Sequence, residues 1–194
     1  MNRGLRFWAP VIGLILLVSA CQGQGAKITK YNLPKNEPAG QSLISFEGMH
    51  APEPGSCTIR LGDLIGAWVT AGTPETDPFP FTDVQGKSCQ GTFEADVLPA
   101  FTQANLWYPG ALSCRTCHGP DIQVSYARMD LSSYQGILAG SSRADANSKG
   151  DDILGGGNWE KSTLYDELSS GGMPPNQPAG LNPMGPLITA GTSQ

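Results

Sequence analysis

Two thiols and an imidazole are gathered into five residues at Cys114-Arg115-Thr116-Cys117-His118. Cysteines three positions apart share one side of a helical turn, where they can add to the two vinyl groups of a single porphyrin. The imidazole next to them then falls beneath the iron, so the run carries the signature of covalent c-type haem attachment. A dithiol redox pair would want a βαβ pattern around it, and half a zinc site would want a second pair of ligands. Beyond a distant His50 the chain offers neither.

The other axial position needs a side chain with a lone pair for iron, and the candidates are His50, Met49, Met129, Met173 and Met184. Met173 is the strongest, because it stands in Ser169-Ser170-Gly171-Gly172-Met173-Pro174-Pro175. Glycines there end a helix and the two prolines stiffen the chain beyond the sulfur, so a loop can hold it at a set distance. Met129, only eleven residues past His118, reads instead as core filler.

Short elements must carry these groups, since 25 glycines and 16 prolines in 194 residues leave little room for long regular structure. Leu61, Leu64, Ile65 and Trp68 predict a short amphipathic helix, weakened by Gly62 and Gly66. Core packing explains that glycine pair better than a membrane contact does, because Arg60 and Asp63 make the segment too polar to span. Gly72 to Lys87 reads as a Pro- and acid-containing loop whose Phe79 and Phe81 fold back over a small core. Phe93, Val97, Leu98 and Phe101 predict a helix leading into the motif, with Asp96 as its cap and Pro99 in its first turn. Ser132 to Gln135 has capping-box spacing ahead of Tyr134, Ile137 and Leu138, and a last helix is predicted from about Trp159 to Leu168.

Residues 1–20 have the form of a secretory leader, with Arg3 and Arg6 ahead of an apolar stretch that reaches Ala20. That stretch would extend only about 21 Å as a helix against the ~30 Å of a bilayer's hydrocarbon core. Val18-Ser19-Ala20-Cys21 is patterned as a lipoprotein cleavage box, which makes Cys21 the site of acylation and of a membrane anchor. Residues 21–42 then read as a polar tether, 43–88 as a loop-rich extension and 89–194 as the haem domain. With Cys21 lipidated and two cysteines on haem, Cys57 and Cys89 are left as one disulfide in an oxidising compartment.

The formal charge of −5 becomes −7 without the leader, ten bases standing against seventeen acids. Such a balance argues against nucleic acid and acidic substrates as partners, and suits a neutral or basic redox protein.

The haem motif, the helix before it, the short helices after it and Met173-Pro174-Pro175 together resemble the class I c-type cytochromes, over about Phe93 to Pro175. The resemblance implies a mainly α, cytochrome c-like haem domain holding one haem c. Cys114 and Cys117 would form its thioethers, His118 would be the proximal ligand and Met173 the distal one. That family closes with a helix crossing the first, whereas Gln177 to Gln194 is Pro- and Gly-rich and unhelical. Gly119-Pro120 comes directly after the histidine, so no carbonyl to orient His118 can be named from the chain.

Leader, extension and single haem together are also similar to the monohaem cytochrome subunit of alternative complex III, a quinol-oxidising assembly. The implied function is electron transfer at the periplasmic face of the membrane, among the subunits of an oxidoreductase complex and without catalysis of its own. A free lipid-anchored shuttle is the alternative, as is a haem sensor or peroxidase-like protein whose sixth iron position is open.

Overall fold

The computed structural model describes residues 55–194. The expected leader and tether, Cys21, Met49 and His50 lie outside them.

Ser56–Arg60 (β1) alternates buried Cys57 and Ile59 with more exposed neighbours, and runs straight into the helix Leu61–Thr70 (α1). The helix matches the sequence periodicity: Leu61, Leu64, Ile65 and Trp68 are all fully buried. Its two glycines each cost about 1 kcal/mol against alanine, and both are explained by close approach. A Cβ at Gly62 would stand 2.5 Å from the Met184 methyl, and one at Gly66 would stand 2.5 Å from the Trp159 indole nitrogen.

Phe79–Thr82 (β2) and Ser88–Gly91 (β3) form an antiparallel hairpin inside the stretch expected to be loop. Phe79 and Phe81 do cover the core, as expected, but they do so as the buried face of a strand. Pro80 is tolerated because β2 lies at the sheet edge and the proline side chain points outward. In the connecting turn one carboxylate oxygen of Asp83 accepts the amides of Gln85 and Lys87, each at 2.8 Å.

Phe93–Val97 is a π-helical turn that continues as Leu98–Thr102 (α2). The helix therefore begins before Asp96, which does not cap it in the expected way. One oxygen of Asp96 accepts the Thr92 amide at 2.7 Å, and the other accepts that of Gly191 near the far end of the chain. Beyond Cys114–Cys117 (α3), Ser133 rather than Ser132 caps Tyr134–Ala139 (α4), accepting the Gly136 amide at 3.1 Å. The predicted helix over 159–168 divides in two. Trp159–Lys161 is a 3-10 turn, and buried Ser162 starts Thr163–Ser169 (α5) afresh by accepting the Tyr165 amide.

The mainly α expectation is overturned by the chain's last element. Leu187–Ser193 (β4) inserts between β1 and β3, completing a four-stranded antiparallel sheet in the order β1-β4-β3-β2. Its register pairs Ser56 with Thr192 and Arg60 with Leu187 on one side, and Cys89 with Ser193 on the other. The sheet thus takes strands from both sides of the boundary expected at residue 88. With helices of only four to ten residues, the described part of the chain is a mixed α and β structure.

Cys57 and Cys89 are bridged, with their Cα atoms 6.5 Å apart, and so join the two strands that flank β4. Closing a loop across 32 residues stabilises a fold by about 3 to 4 kcal/mol in the chain-entropy account. Replacing both cysteines by alanine should lower the unfolding free energy by about that amount in a denaturant titration. Peptide mapping of the unreduced protein should show the two linked.

The Lys87 amide, aided by that of Gln85 and opposed by partial burial, holds the Asp83 carboxyl below its usual value of 3.8. A depressed folded-state value stabilises the protein above the unfolded value, and that contribution is lost as pH falls through the folded one. The stability difference between wild type and Asp83→Asn, read by urea titration, should therefore be constant near neutrality and shrink as pH falls below about 3.8.

Candidate functional site

α3 is a single turn of four residues, too short to stand by itself. The segment before it supplies the support. The buried Trp107 indole donates to the Ala100 carbonyl at 2.8 Å, and the Cys114 thiol points at the same oxygen from 3.6 Å. Asn105 closes the intervening turn, its amide donating to the Ala111 carbonyl and its side-chain oxygen accepting from Gly110. Ser113 enters α3 with extended backbone, and its hydroxyl lies 2.9 Å from that of Thr116.

Cys114 and Cys117 are both free, so the pair is not a disulfide, and each is half-buried. Burial, together with the neighbouring Cys117, pushes the Cys114 thiol up to about 11.

His118 leaves the helix at once, with φ −115° and ψ 63°, and is only 6% exposed. Its Nδ1 lies 2.9 Å from the carbonyl oxygen of Tyr126. A carbonyl can only accept, so Nδ1 carries a proton, and in the neutral ring the lone pair is then on Nε2, the form in which an imidazole binds metal. This is the orienting carbonyl that could not be named from the chain. Main-chain oxygens have no residue-type signature, and Tyr126 comes within reach only because the loop after Pro120 folds back. The same loop holds buried Ser125, whose hydroxyl donates to the Met129 carbonyl, and the Leu131 amide returns to the His118 carbonyl at 2.8 Å.

Met173 sits in the loop after α5, its amide donating to the Glu167 carbonyl at 2.9 Å and its side chain 37% exposed. Two residues on, the Pro175 carbonyl accepts a hydrogen bond from the Tyr108 hydroxyl. That contact ties the Met-Pro-Pro loop to the segment feeding Cys114. Of the rival sulfurs, Met184 packs over the Gly62 face of α1, and Met129 lies partly buried against the core, as expected of a filler. Three apolar side chains near the motif, Leu112, Val124 and Tyr126, are 61%, 78% and 71% exposed.

Two free thiols on one turn, an imidazole in the metal-binding tautomer and flanking apolar groups fit a covalently attached haem. Elsewhere, Cys57, Asp83 and Cys89 have donor atoms within 4.8 Å of one another. The disulfide removes both thiolates from that group, and the Asp83 carboxylate is engaged in its turn. Surface cavities of about 860 and 370 Å³ lie by Trp159 and by Arg143, and no motif residue lines either. Among the described residues, no helix is long and apolar enough to cross a membrane.

Compared with known proteins, the chain matches no protein-family model and no curated sequence.

With both thiols free, fewer than about one in a hundred Cys114 side chains would be ionised at pH 8. Its alkylation by iodoacetamide, read by peptide mass spectrometry, should be slow at that pH and accelerate up to about pH 11.

Proposed function

We propose that the chain is an electron-transfer protein carrying one c-type haem. The observation that carries this reading is the hydrogen bond from His118 Nδ1–H to the Tyr126 carbonyl, one residue after two free thiols on the same turn. Cys114 and Cys117 would hold the macrocycle through thioether bonds, and His118 through Nε2 and Met173 through its sulfur would be the two side-chain donors to its iron. When bound, the haem supplies a one-electron couple whose potential depends on its axial ligands.

The residues do the rest. The Tyr126 carbonyl holds the His118 ring in one orientation and strengthens Nε2 as a donor. Tyr108, through Pro175, restrains the loop that carries Met173, so an electron can pass without large ligand movement. With both side-chain donors engaged, no position at the iron would be left for substrate, which favours an electron carrier over an enzyme. The patterned leader with Cys21 makes the carrier a lipid-anchored one at the periplasmic face, with other subunits of a membrane oxidoreductase complex as its redox partners.

The exposure of Met173 supports a second reading, in which the sixth position is open and the protein senses or activates a small molecule. Met173→Ala separates the two. Attachment needs only Cys114, Cys117 and His118, so covalent haem content should persist in the variant. On the first reading, the midpoint potential falls and the weak far-red band of methionine-ligated ferric haem disappears. An unchanged potential and spectrum, with rapid carbon monoxide binding to the untreated ferrous protein, would establish the second.

A further inference from the structure

Arg143 is the only arginine or lysine buried among the described residues, at 6% exposed. A guanidinium taken out of water costs several kcal/mol unless its N–H groups find acceptors. Here Nε donates to the Ser148 carbonyl at 3.0 Å and Nη2 donates to that of Ala146. Both acceptors belong to its own loop, residues 140–150. Ser141 and Asp151 close the neck of that loop by exchanging backbone hydrogen bonds at 2.9 and 2.8 Å. Gly150 is required there, because a Cβ would run into the Ser141 carbonyl. By these contacts alone the arginine only staples a surface loop.

The loop's rim reaches toward the site. The Ser142 amide donates to the Ala127 carbonyl at 2.8 Å and the Arg143 amide to that of Arg128 at 3.2 Å, while Arg128 Nη2 returns to the Ala144 carbonyl at 2.6 Å. Ala127 and Arg128 have φ of 52° and 48°. Left-handed backbone of this kind persists in non-glycine residues only where the surroundings over-determine it. The two residues come directly after Tyr126, whose carbonyl accepts the His118 Nδ1 proton.

We propose that Arg143 is a positioning residue for His118: by stapling loop 140–150 it holds Ala127 and Arg128 left-handed, which keeps the Tyr126 carbonyl on the imidazole. The geometry stands by itself, and the electronic consequence rests on the proposed haem function. A carbonyl held on Nδ1–H makes Nε2 the stronger donor and favours ferric iron. Slackening the loop therefore raises the potential, opposite in sign to the loss of Met173.

The test uses the full-length, haem-loaded protein as wild type, Arg143→Met and Arg143→Lys. The midpoint potential and the solvent exchange of the His118 Nδ1 proton, measured by NMR in the ferrous state, are the two readouts. Arg143→Met should keep its covalent haem, show a raised potential and exchange that proton roughly tenfold faster, as one weakened hydrogen bond implies. Arg143→Lys, which can still reach a carbonyl, should return part of the way on both. If Arg143→Met does not fold, Arg128→Ala decides, since it removes the contact to Ala144 at an exposed position and keeps the Cβ that makes left-handed backbone costly; it should shift both readouts in the same direction. A folded variant in which either readout stays at its wild-type value overturns the proposal. Failure of the full chain to take up haem overturns the haem reading and leaves the exchange readout, where faster exchange in Arg143→Met upholds the positioning role and unchanged exchange overturns it.

Discussion

Phe93 is the contact on which the arrangement depends. Its ring lies 5.0 Å from Trp68 of α1 and 5.2 Å, edge-on, from Tyr134 of α4, with Trp68 and Tyr134 themselves 6.3 Å apart. Helices of five to ten residues have no independent stability in water, so each of these elements exists because it buries a face against the others. The Trp68 indole and the Tyr134 hydroxyl then donate to the carbonyls of Pro74 and Thr73, which fastens the segment after α1 to the same cluster. Cys114 is tied to this cluster through α2 and the Trp107 anchor.

The placement of α1 also bears on how the residues after Met173 are used. The resemblance in the sequence implies a class I pattern, in which a late helix crosses the first, whereas Leu187–Ser193 is a strand. α1, from ahead of the motif, packs on the π-helical turn that leads toward Cys114, and β4 returns to pair with the strand that feeds α1. Asp96 fastens both sides, with one oxygen on Thr92 and the other on Gly191. The sheet is thus what brings distant parts of the chain together, and the disulfide holds the strands on either side of the late arrival.

At the site the divisions of labour are local. Residue types carry the chemistry, thiol, imidazole and thioether, while main-chain oxygens set how each is held: Ala100 for Cys114, Tyr126 for His118 and, two residues from the thioether, Pro175. Main-chain acceptors serve well here because a carbonyl can take only one role, which leaves a single tautomer open to His118.

That division accounts for how much could be read in advance. The amino-acid sequence by itself determined the helix at Leu61–Thr70, the burial of Phe79 and Phe81, and the pairing of Cys57 with Cys89, because each has a side-chain pattern or an inventory behind it. Only the tertiary structure decided that the fold is mixed rather than mainly α. Leu187–Ser193 has a glycine in its interior and a weak alternation, and it becomes a strand only between two partners distant in the chain. Likewise Asp96 reads in the sequence as the cap of a following helix, whereas its carboxylate holds the Thr92 amide and that of Gly191, 95 residues away. The carbonyl on His118 and the left-handed residues behind it left no mark in the sequence, since backbone oxygens are the same at every position and only the folded path selects which one arrives.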